Sequence, residues 1–328
     1  MNNNKITKYV LITISILIIL TITALIFIGN YFFNYALVRN DDGKTSGSNR
    51  NVNFSTSSYN QEIIHNNFAI QKEKTNHWLK NIDREELYIK SNDGLTLVGT
   101  QFNTNGSDNW AILAHGYTSN QTDMYDVAQN YSENGYNVLT IDLRSHGNSE
   151  GKYIGMGWLD KEDMLIWINK LLESHPNAKI VLHGISMGAA TVMMTSGEKL
   201  PSNVKAIVED CGYTSVWNIF SSELKVRYNF PSFPILNFVS LVTKIRAGYY
   251  LREASSLNQI KECITPTLFI HGTEDNFVPF DMVYSLYNAA QCDKDILVIE
   301  GAGHAECKFF YPNIYYGKTF EFVNKYVK

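Results

Sequence analysis

The pentapeptide Gly184-Ile185-Ser186-Met187-Gly188 lies between an apolar run and a segment of small residues. Residues 179–183 predict a buried strand, and residues 189–194 are compatible with a helix. A serine between two such elements lies on a tight strand-to-helix turn, where the flanking glycines let strand and helix approach closely. This turn exposes the serine hydroxyl and directs the N-terminus of the next helix at it. The motif therefore predicts a reactive serine at the edge of a sheet.

The composition allows a large globular domain and excludes several classes of protein. With 328 residues, 45% of them hydrophobic, the chain is long enough for one α/β domain with appended segments. A formal net charge of −4 and the lack of a basic stripe argue against nucleic-acid binding. The four cysteines show no CxxC spacing, and the eight histidines form no HExxH pair. We therefore expect no metal site and no disulfide scaffold.

The N-terminal region is uncharged and apolar. No charged residue occurs between positions 9 and 38, and residues 9–29 are almost all Ile, Leu, Val, Thr and Ser. About 20 apolar residues in a helix span a bilayer, whereas signal-peptide cores have roughly 7–15 and end at a small-residue cleavage site. Neither Ala24 nor Ala36 lies in a convincing A-x-A pattern. We predict a retained transmembrane helix over 9–29 after a short segment, 1–8. A buried core helix, the alternative, would have a polar face.

The charges around this span are nearly balanced. Lys5 and Lys8 precede it, whereas Arg39 and Lys44 follow it. Lys8 adjoins the apolar segment while Arg39 lies ten residues beyond Gly29. This favours a cytoplasmic N-terminus and an extracytoplasmic catalytic domain.

A linker and a helical segment are predicted to follow the span. Residues 40–60 are rich in Asn, Ser and Gly, so we predict a flexible linker over 30–60. Residues 61–82 have apolar positions at loosely helical spacing and are predicted to pack as a helical segment on a domain formed by 83–328.

Strands and helices alternate from residue 83 onward. The strands are predicted over 86–90, 95–102, 110–114, 137–141, 179–183, 204–208, 266–270 and 296–299. The first two flank Asn92-Asp93-Gly94 and predict a hairpin. Helices are predicted over 124–134 and 158–173. The fold class is therefore α/β, with a mostly parallel, doubly covered sheet.

Residues capable of catalysis follow four of these strands. His115-Gly116-Tyr117, Ser186, the stretch 271–275 and the stretch 301–304 each lie at a strand's carboxyl end. In parallel sheets ligands bind at that edge. A serine nucleophile needs an imidazole to take its proton and a carboxylate to fix the imidazole tautomer. These loops contain all three kinds of group.

The chain from about 83 to 328 resembles the α/β-hydrolase superfamily. The order Ser186, Asp275, His304 is the family's order of nucleophile, acid and base. Residues 142–151 resemble the family's D-x-R-G-x-G-x-S loop, with Ser145 where glycine is common, and residues 272–279 resemble its G-x-x-D-x-x-V-P loop. Within the superfamily the chain is most similar to bacterial membrane-anchored serine hydrolases.

The resemblance implies roles for individual residues. Ser186 is the expected nucleophile, His304 the base and Asp275 the orienting acid, with Asp210 the alternative acid. The expected oxyanion hole is formed by the backbone N–H groups of Tyr117 and Met187. No cofactor or metal is implied. Three further histidines that precede glycines are expected to shape the backbone: His115, His183 and His271. Arg144 and Asp142 are expected to hold their loop by an internal ion pair, and Cys211 to be a buried small residue.

The superfamily inserts its lid where residues 213–255 lie. This segment is rich in aromatic residues and is predicted to form a helical cap over Ser186. The expected activity is cleavage of a carboxylic ester or related acyl bond in a small-molecule substrate. A peptidase or amidase, a thioesterase and an acyltransferase use the same residues. A different class, an inactive membrane-tethered binding protein on this scaffold, is the remaining alternative.

Overall fold

One eight-stranded sheet organises the protein. The computed structural model describes residues 3–40, 58–103 and 106–327. The strands are β1 Arg84–Lys90, β2 Thr96–Phe102, β3 Asn109–Ala114, β4 Asn137–Ile141, β5 Lys179–Ile185, β6 Val204–Asp210, β7 Thr267–Gly272 and β8 Lys294–Ile299. Their spatial order is β1-β2-β4-β3-β5-β6-β7-β8.

The sheet is antiparallel at one edge and parallel elsewhere. β1 and β2 form the predicted hairpin, and β2 pairs antiparallel with β4. All other neighbouring strands are parallel. β3 to β7 are buried along nearly their whole length, which is why their sequences are continuously apolar rather than alternating. The predicted mostly parallel, doubly covered sheet is confirmed.

Helices cover both faces of the sheet. They are α1 Asn3–Leu37, α2 Ser58–Asn81, α3 Tyr125–Glu133, α4 Asp160–Ser174, α5 Met187–Ser196, α6 Val216–Tyr228, α7 Ile235–Ala247, α8 Ser256–Gln259, α9 Asp281–Ala289, α10 Cys307–Phe310 and α11 Pro312–Val323. One core cluster joins one face of the sheet to α4, α5 and α9. A second joins the other face to α2, α3 and α11.

Helix α2 packs onto the domain, in the region where the sequence predicts a helical segment over 61–82. The Trp78 ring lies 4.8 Å from that of Phe102, and its Nε1 donates to Ser132 Oγ at 3.1 Å. Asn67 Nδ2 donates to the Phe309 carbonyl at 2.8 Å. These contacts join α2 to β2, α3 and α10.

Helix α1 extends beyond the predicted span, so the prediction of a linker over 30–60 is wrong for residues 30–37. The helix continues to Leu37, and both Phe33 and Leu37 are completely buried. Val38 then pairs with Tyr153 in an isolated antiparallel bridge. Phe32 packs on Tyr228 and the Tyr35 hydroxyl accepts from Arg227, both in the cap, so this stretch is held as helix. The linker prediction is also wrong for residues 58–60, which form the first residues of α2. The part from 41 to 57 lies outside the described residues, as does Lys44.

The helices α6 and α7 lie between β6 and β7, where the cap is predicted. Ser215 caps α6 by accepting from the Asn218 N–H, and Asn229 ends that helix in the left-handed region. Gly248 ends α7 in the same way. The two helices thus form a separate insertion above the carboxyl ends of the parallel strands.

Candidate active site

Ser186 lies on a strained turn between β5 and α5. Its φ of 58° and ψ of −114° are unfavourable for a residue with a side chain. A Cβ on Gly184 would lie 2.1 Å from the Gly188 carbonyl oxygen, and one on Gly188 would lie 2.0 Å from that of Ala114. Both positions therefore require glycine, as the motif predicts, because strand and helix leave no room for a side chain.

Three side chains form one hydrogen-bonded chain above the sheet. His304 Nε2 lies 2.8 Å from Ser186 Oγ, and His304 Nδ1 lies 2.7 Å from Asp275 Oδ2. Ser186 follows β5, Asp275 follows β7 and His304 follows β8. The structure thus brings together the three residues that the sequence selects, 118 and 29 positions apart along the chain.

Asp275 is held as a buried carboxylate. Its Oδ1 accepts the backbone N–H groups of Phe277 and Val278, each at 2.9 Å. Burial alone would raise the pKa of Asp275, but His304 and His271, which face it, hold that pKa well below its usual range. The group therefore remains charged and able to fix the position of an imidazole.

His271 is a second histidine at this carboxylate. Its Nε2 lies 3.2 Å from Asp275 Oδ2 and 3.1 Å from the Val278 carbonyl oxygen. Sequence reasoning assigned it a backbone-shaping role and missed its contact with the acid. The spacing of four residues between His271 and Asp275 could have indicated this contact, but only if the loop after β7 were known to fold back on the strand.

Asp210, the alternative acid, is engaged elsewhere. The Tyr315 hydroxyl donates to its Oδ2 at 3.0 Å, and its backbone carbonyl accepts the Ser186 N–H at 2.7 Å. Burial raises the pKa of Asp210 to about 6. The residue supports the turn at Ser186, whereas Asp275 is the carboxylate bonded to His304.

The other strand-end histidines are structural. His115 Nε2 accepts the Leu143 N–H at 3.1 Å, so this ring fixes the 142–151 loop. His183 lies between the hydroxyls of Tyr131 and Tyr315 at 3.2 and 3.0 Å. Burial lowers the pKa of His115 to about 4 and that of His183 to about 3. Both are therefore neutral hydrogen-bonding groups at ordinary pH.

The two backbone segments expected to form the oxyanion hole flank Ser186. Met187 is the first residue of α5. On the other side, a Cβ on Gly116 would lie 3.3 Å from the Ser186 Cβ, which places the backbone before Tyr117 against the serine. The Tyr117 hydroxyl donates to the Ala36 carbonyl at 2.7 Å. The end of α1 thus holds the side chain of a residue expected to act in the oxyanion hole.

An apolar cavity begins at Ser186. Three aromatic residues of the predicted cap line it: Tyr213, Phe220 and Tyr228. Other large residues of the cap lie in the core, as Trp217 and Tyr249 do, or on the surface, as Phe230, Phe233, Leu241 and Tyr250 do. Helix α1 adds Phe32, Tyr35 and Ala36 to the wall. Sequence reasoning missed this contribution because it ended the helix at residue 29.

The cavity's charged groups neutralise each other. Among the described residues that line it, Glu223 and Arg227 are the charged ones, and Arg227 Nε donates to Glu223 Oε2 at 2.7 Å. Arg227 Nη1 also donates to the Tyr35 hydroxyl at 2.9 Å. The remaining wall is apolar or aromatic, so it suits a hydrocarbon group.

The expected ion pair between Arg144 and Asp142 does not form, because Arg144 pairs with Asp163 instead. Arg144 donates to Asp163 at 2.7 and 2.8 Å and also contacts Asp93, rather than pairing with Asp142. Asp142 instead accepts backbone N–H groups of Gln121 and Asn148 at 2.7 and 2.8 Å. The loop curls around Asp142 and leaves Arg144 to reach α4.

Cys211 is buried, as expected, beside the hydrogen-bonded chain. Cys211, Asp275 and His304 each have a potential metal-ligand atom within 4.8 Å of the others. Burial holds the pKa of the Cys211 thiol well above its usual range, and Asp275 and His304 already bond to each other. The thiol is therefore a neutral neighbour of a carboxylate and an imidazole that already bond to each other.

Known proteins similar to this chain include acyl hydrolases. A family model described as serine aminopeptidase, S33, matches residues 107–225. The uncharacterized protein YqkD of Bacillus subtilis is 30% identical over 226 residues, 68% of this chain and 74% of that protein. A monoacylglycerol lipase of Mycolicibacterium smegmatis is 30% identical over 99 residues, 30% of this chain and 35% of the lipase. The Pyrococcus furiosus esterase Pf2001 superposes with a TM-score of 0.63 at 25% identity, covering 75% of this chain and 92% of the esterase.

Proposed function

Because this chain belongs to the α/β-hydrolase superfamily, we propose that it is a serine hydrolase that cleaves a carboxylic ester through an acyl-enzyme on Ser186. The observation that carries the proposal is the continuous chain from Ser186 Oγ through His304 to Asp275, with distances of 2.8 and 2.7 Å. Such a chain activates a weak hydroxyl nucleophile.

The reaction follows from the positions of the protons. Ser186 Oγ attacks the ester carbonyl while His304 Nε2 takes its proton, and Asp275 keeps the Nδ1 proton in place. His304 then gives the proton to the leaving alcohol as the C–O bond breaks. Water, deprotonated by the same nitrogen, attacks the acyl-enzyme; the bond from the acyl carbon to Ser186 Oγ breaks, His304 returns the proton to Oγ, and the acid leaves. Every proton removed by His304 is returned to a leaving group.

The negative charge that forms on the carbonyl oxygen requires donors. We assign this role to the backbone N–H groups of Tyr117 and Met187, on either side of Ser186. Losing one such donor typically costs about 10²–10³ in rate. The N-terminus of α5 adds a favourable partial positive charge at the same point.

An ester is favoured over the aminopeptidase substrate named by the family model. An aminopeptidase must bind a protonated α-amine beside the scissile bond, which calls for an available carboxylate. In the described wall the carboxylate is that of Glu223, and Arg227 already occupies it. The apolar wall and the similarity to an esterase and a monoacylglycerol lipase support an acyl ester.

We propose further that α1 anchors the enzyme in a membrane as a single span. The part of α1 from Lys5 to Leu37 is long and apolar enough to cross a bilayer, and the side chains of residues 5–24 are all exposed. A helix that covered a protein core would bury one face. Lys5 and Lys8, which precede the span, favour a cytoplasmic N-terminus, so we place the catalytic domain outside the cytoplasm.

Turnover of p-nitrophenyl butyrate by the full-length protein in detergent tests the proposed activity. Ser186→Ala is expected to lower kcat by at least about a thousandfold. Ser285→Ala is the matched control, because Ser285 is exposed on α9 and bonds its own helix. An amino-acid p-nitroanilide serves as the amide substrate. Wild-type turnover no higher than that of Ser186→Ala would contradict the proposal, and preference for the anilide would redirect it to a peptidase.

A further inference from the structure

Helix α1 divides into an exposed part and a packed part. Residues 5–24 expose every side chain, but from Leu25 onward one side of the helix becomes covered. The covered positions Leu25, Gly29, Phe33 and Leu37 recur every four residues, which is one face of a helix. The apolar stretch 9–28 measures about 30 Å, the thickness of a bilayer's hydrocarbon core. With the proposed span placed over residues 9–28, the packed face begins at its end.

The partner of this packed face is the cap helix α7. A Cβ on Gly29 would lie 2.8 Å from the Phe238 backbone, so the two helices touch there without an intervening side chain. Arg246, near the end of α7, donates to Asn30 and Asn34 at 2.6 and 2.7 Å. The start of α7 therefore lies beside the end of the apolar stretch, and its later turns lie beside later turns of α1.

The cap exposes apolar side chains before and within α7. Phe233, two residues before α7, is 75% exposed, and Phe230 and Leu241 are also exposed. Phe230 stacks on Tyr228, whose other neighbour is Phe32 of α1, at ring distances of 6.0 and 5.3 Å. An apolar surface therefore continues from the membrane boundary to the wall of the cavity.

The same helix then forms part of the cavity itself. Phe32 and Ala36 line the cavity that contains Ser186. From Gly29 to Ala36 the helix rises about 10 Å. The Ala36 carbonyl accepts the Tyr117 hydroxyl at 2.7 Å, so this turn of α1 also contacts the side chain of Tyr117 in the cavity wall. A small side chain at 36 leaves space there that a larger one would fill.

We propose that the packed end of α1 is a specificity wall: it guides the acyl chain of a membrane-resident ester amphiphile from the bilayer to Ser186 and limits the length accepted. This inference rests on the serine hydrolase function and on the membrane span proposed above. The anchor then does more than tether, because the residues that follow the span contact the substrate's acyl group. Phe32 and Ala36 are the residues that set the limit.

A chain-length series tests the wall. The full-length protein in detergent is assayed with p-nitrophenyl acetate, butyrate, octanoate and laurate. Ala36→Phe is expected to lower the laurate-to-acetate ratio of kcat/KM by about tenfold or more, because each displaced methylene is worth about fourfold. Phe32→Ala is expected to raise that ratio. Phe27→Ala is the control, since Phe27 is 71% exposed on another side of α1, and its ratio is expected to match wild type.

The outcomes separate this inference from the function on which it rests. Wild-type protein that hydrolyses none of the esters would overturn the proposed function. Active wild type with an unchanged ratio in both Ala36→Phe and Phe32→Ala would overturn the wall alone. If Ala36→Phe also loses acetate turnover, Phe32→Ala decides: a raised ratio supports the wall, and a wild-type ratio refutes it.

Entry from the bilayer has its own test. A long-chain p-nitrophenyl ester is embedded in phosphatidylcholine vesicles that carry the full-length enzyme. Phe233→Ser is expected to slow turnover of the embedded ester several-fold while leaving acetate turnover unchanged. Ile264→Ser, at a 90% exposed position between α8 and β7, is expected to leave both unchanged. Equal turnover of the embedded ester by Phe233→Ser and wild type would refute entry at the cap.

Discussion

Asp275→Asn is expected to change the tautomer of His304, the proposed general base, and the local hydrogen bonds determine the outcome. Oδ1 accepts the N–H groups of Phe277 and Val278, so the asparagine must place its carbonyl oxygen there and its NH₂ at the position of Oδ2. The amide then donates to His304 Nδ1. The imidazole must carry its proton on Nε2, which lies 2.8 Å from Ser186 Oγ and can no longer accept the serine proton.

The size of the effect follows from the loss of the general base. A wrong tautomer in an otherwise intact triad lowers kcat by about 10³–10⁴, or about 4–5.5 kcal/mol of transition-state stabilisation. The assay is turnover of p-nitrophenyl acetate at pH 7.5, with circular dichroism to confirm that the variant is folded.

Asp210→Asn is the matched control for this experiment. Asp210 is also buried at a strand end, but it bonds Tyr315, and an asparagine oxygen can accept the same hydroxyl. Its kcat is expected to remain within about tenfold of wild type. Near-normal turnover by folded Asp275→Asn, or a thousandfold loss in Asp210→Asn, would show that the acid is assigned to the wrong residue.

Three further substitutions, one of them with a matched control, test the surroundings of the site. Gly188→Ala should lower the Tm sharply, because its Cβ would lie 2.0 Å from the Ala114 carbonyl oxygen. The control is Gly317→Ala, in an open position of α11, which should stabilise the fold by about 0.5–1 kcal/mol. Equal Tm values for the two variants would refute the packing argument. Burial raises the pKa of Glu209 from 4.5 to about 8, so the folded state retains a proton that the unfolded state releases. The contribution of Glu209 to stability therefore falls by about 1.4 kcal/mol per pH unit as pH rises between those values. Glu209→Gln should flatten this slope in urea unfolding at pH 5, 6.5 and 8, and an unchanged slope would count against it. Arg144→Met leaves Asp163 buried without its partner and should cost about 3–5 kcal/mol by urea unfolding, with a loss below about 1 kcal/mol contradicting the account.

Local sequence rules predict the elements that build the site. Continuous apolar runs identify the central parallel strands because both faces of those strands are covered. The sequence predicts the roles of Gly184 and Gly188 because the backbone passes so close to both positions that no side chain fits. The selection of Asp275 and His304 depends on the chain order of the resembled family, and the loops after β7 and β8 place them beside Ser186.

Contacts between distant segments were not predictable from the sequence. Residues 30–37 include Asn30 and Asn34, which read as polar breaks after an apolar span, but Arg246 binds both amides from more than 200 positions away. The second contact of Asp275, with His271, depends on how the acid loop folds back over its own strand. Arg144 likewise takes its partner from α4 rather than from its own loop. Each of these depends on tertiary packing rather than on local pattern.

The central claim is that Ser186 forms a covalent intermediate, and mapping of a fluorophosphonate adduct tests it most directly. The full-length protein in detergent is treated with the probe, digested and sequenced by mass spectrometry. The account predicts one adduct, on Ser186, that is absent from Ser186→Ala and forms more slowly in Asp275→Asn. An unlabelled wild-type protein, or an adduct on another serine that persists in Ser186→Ala, would contradict it.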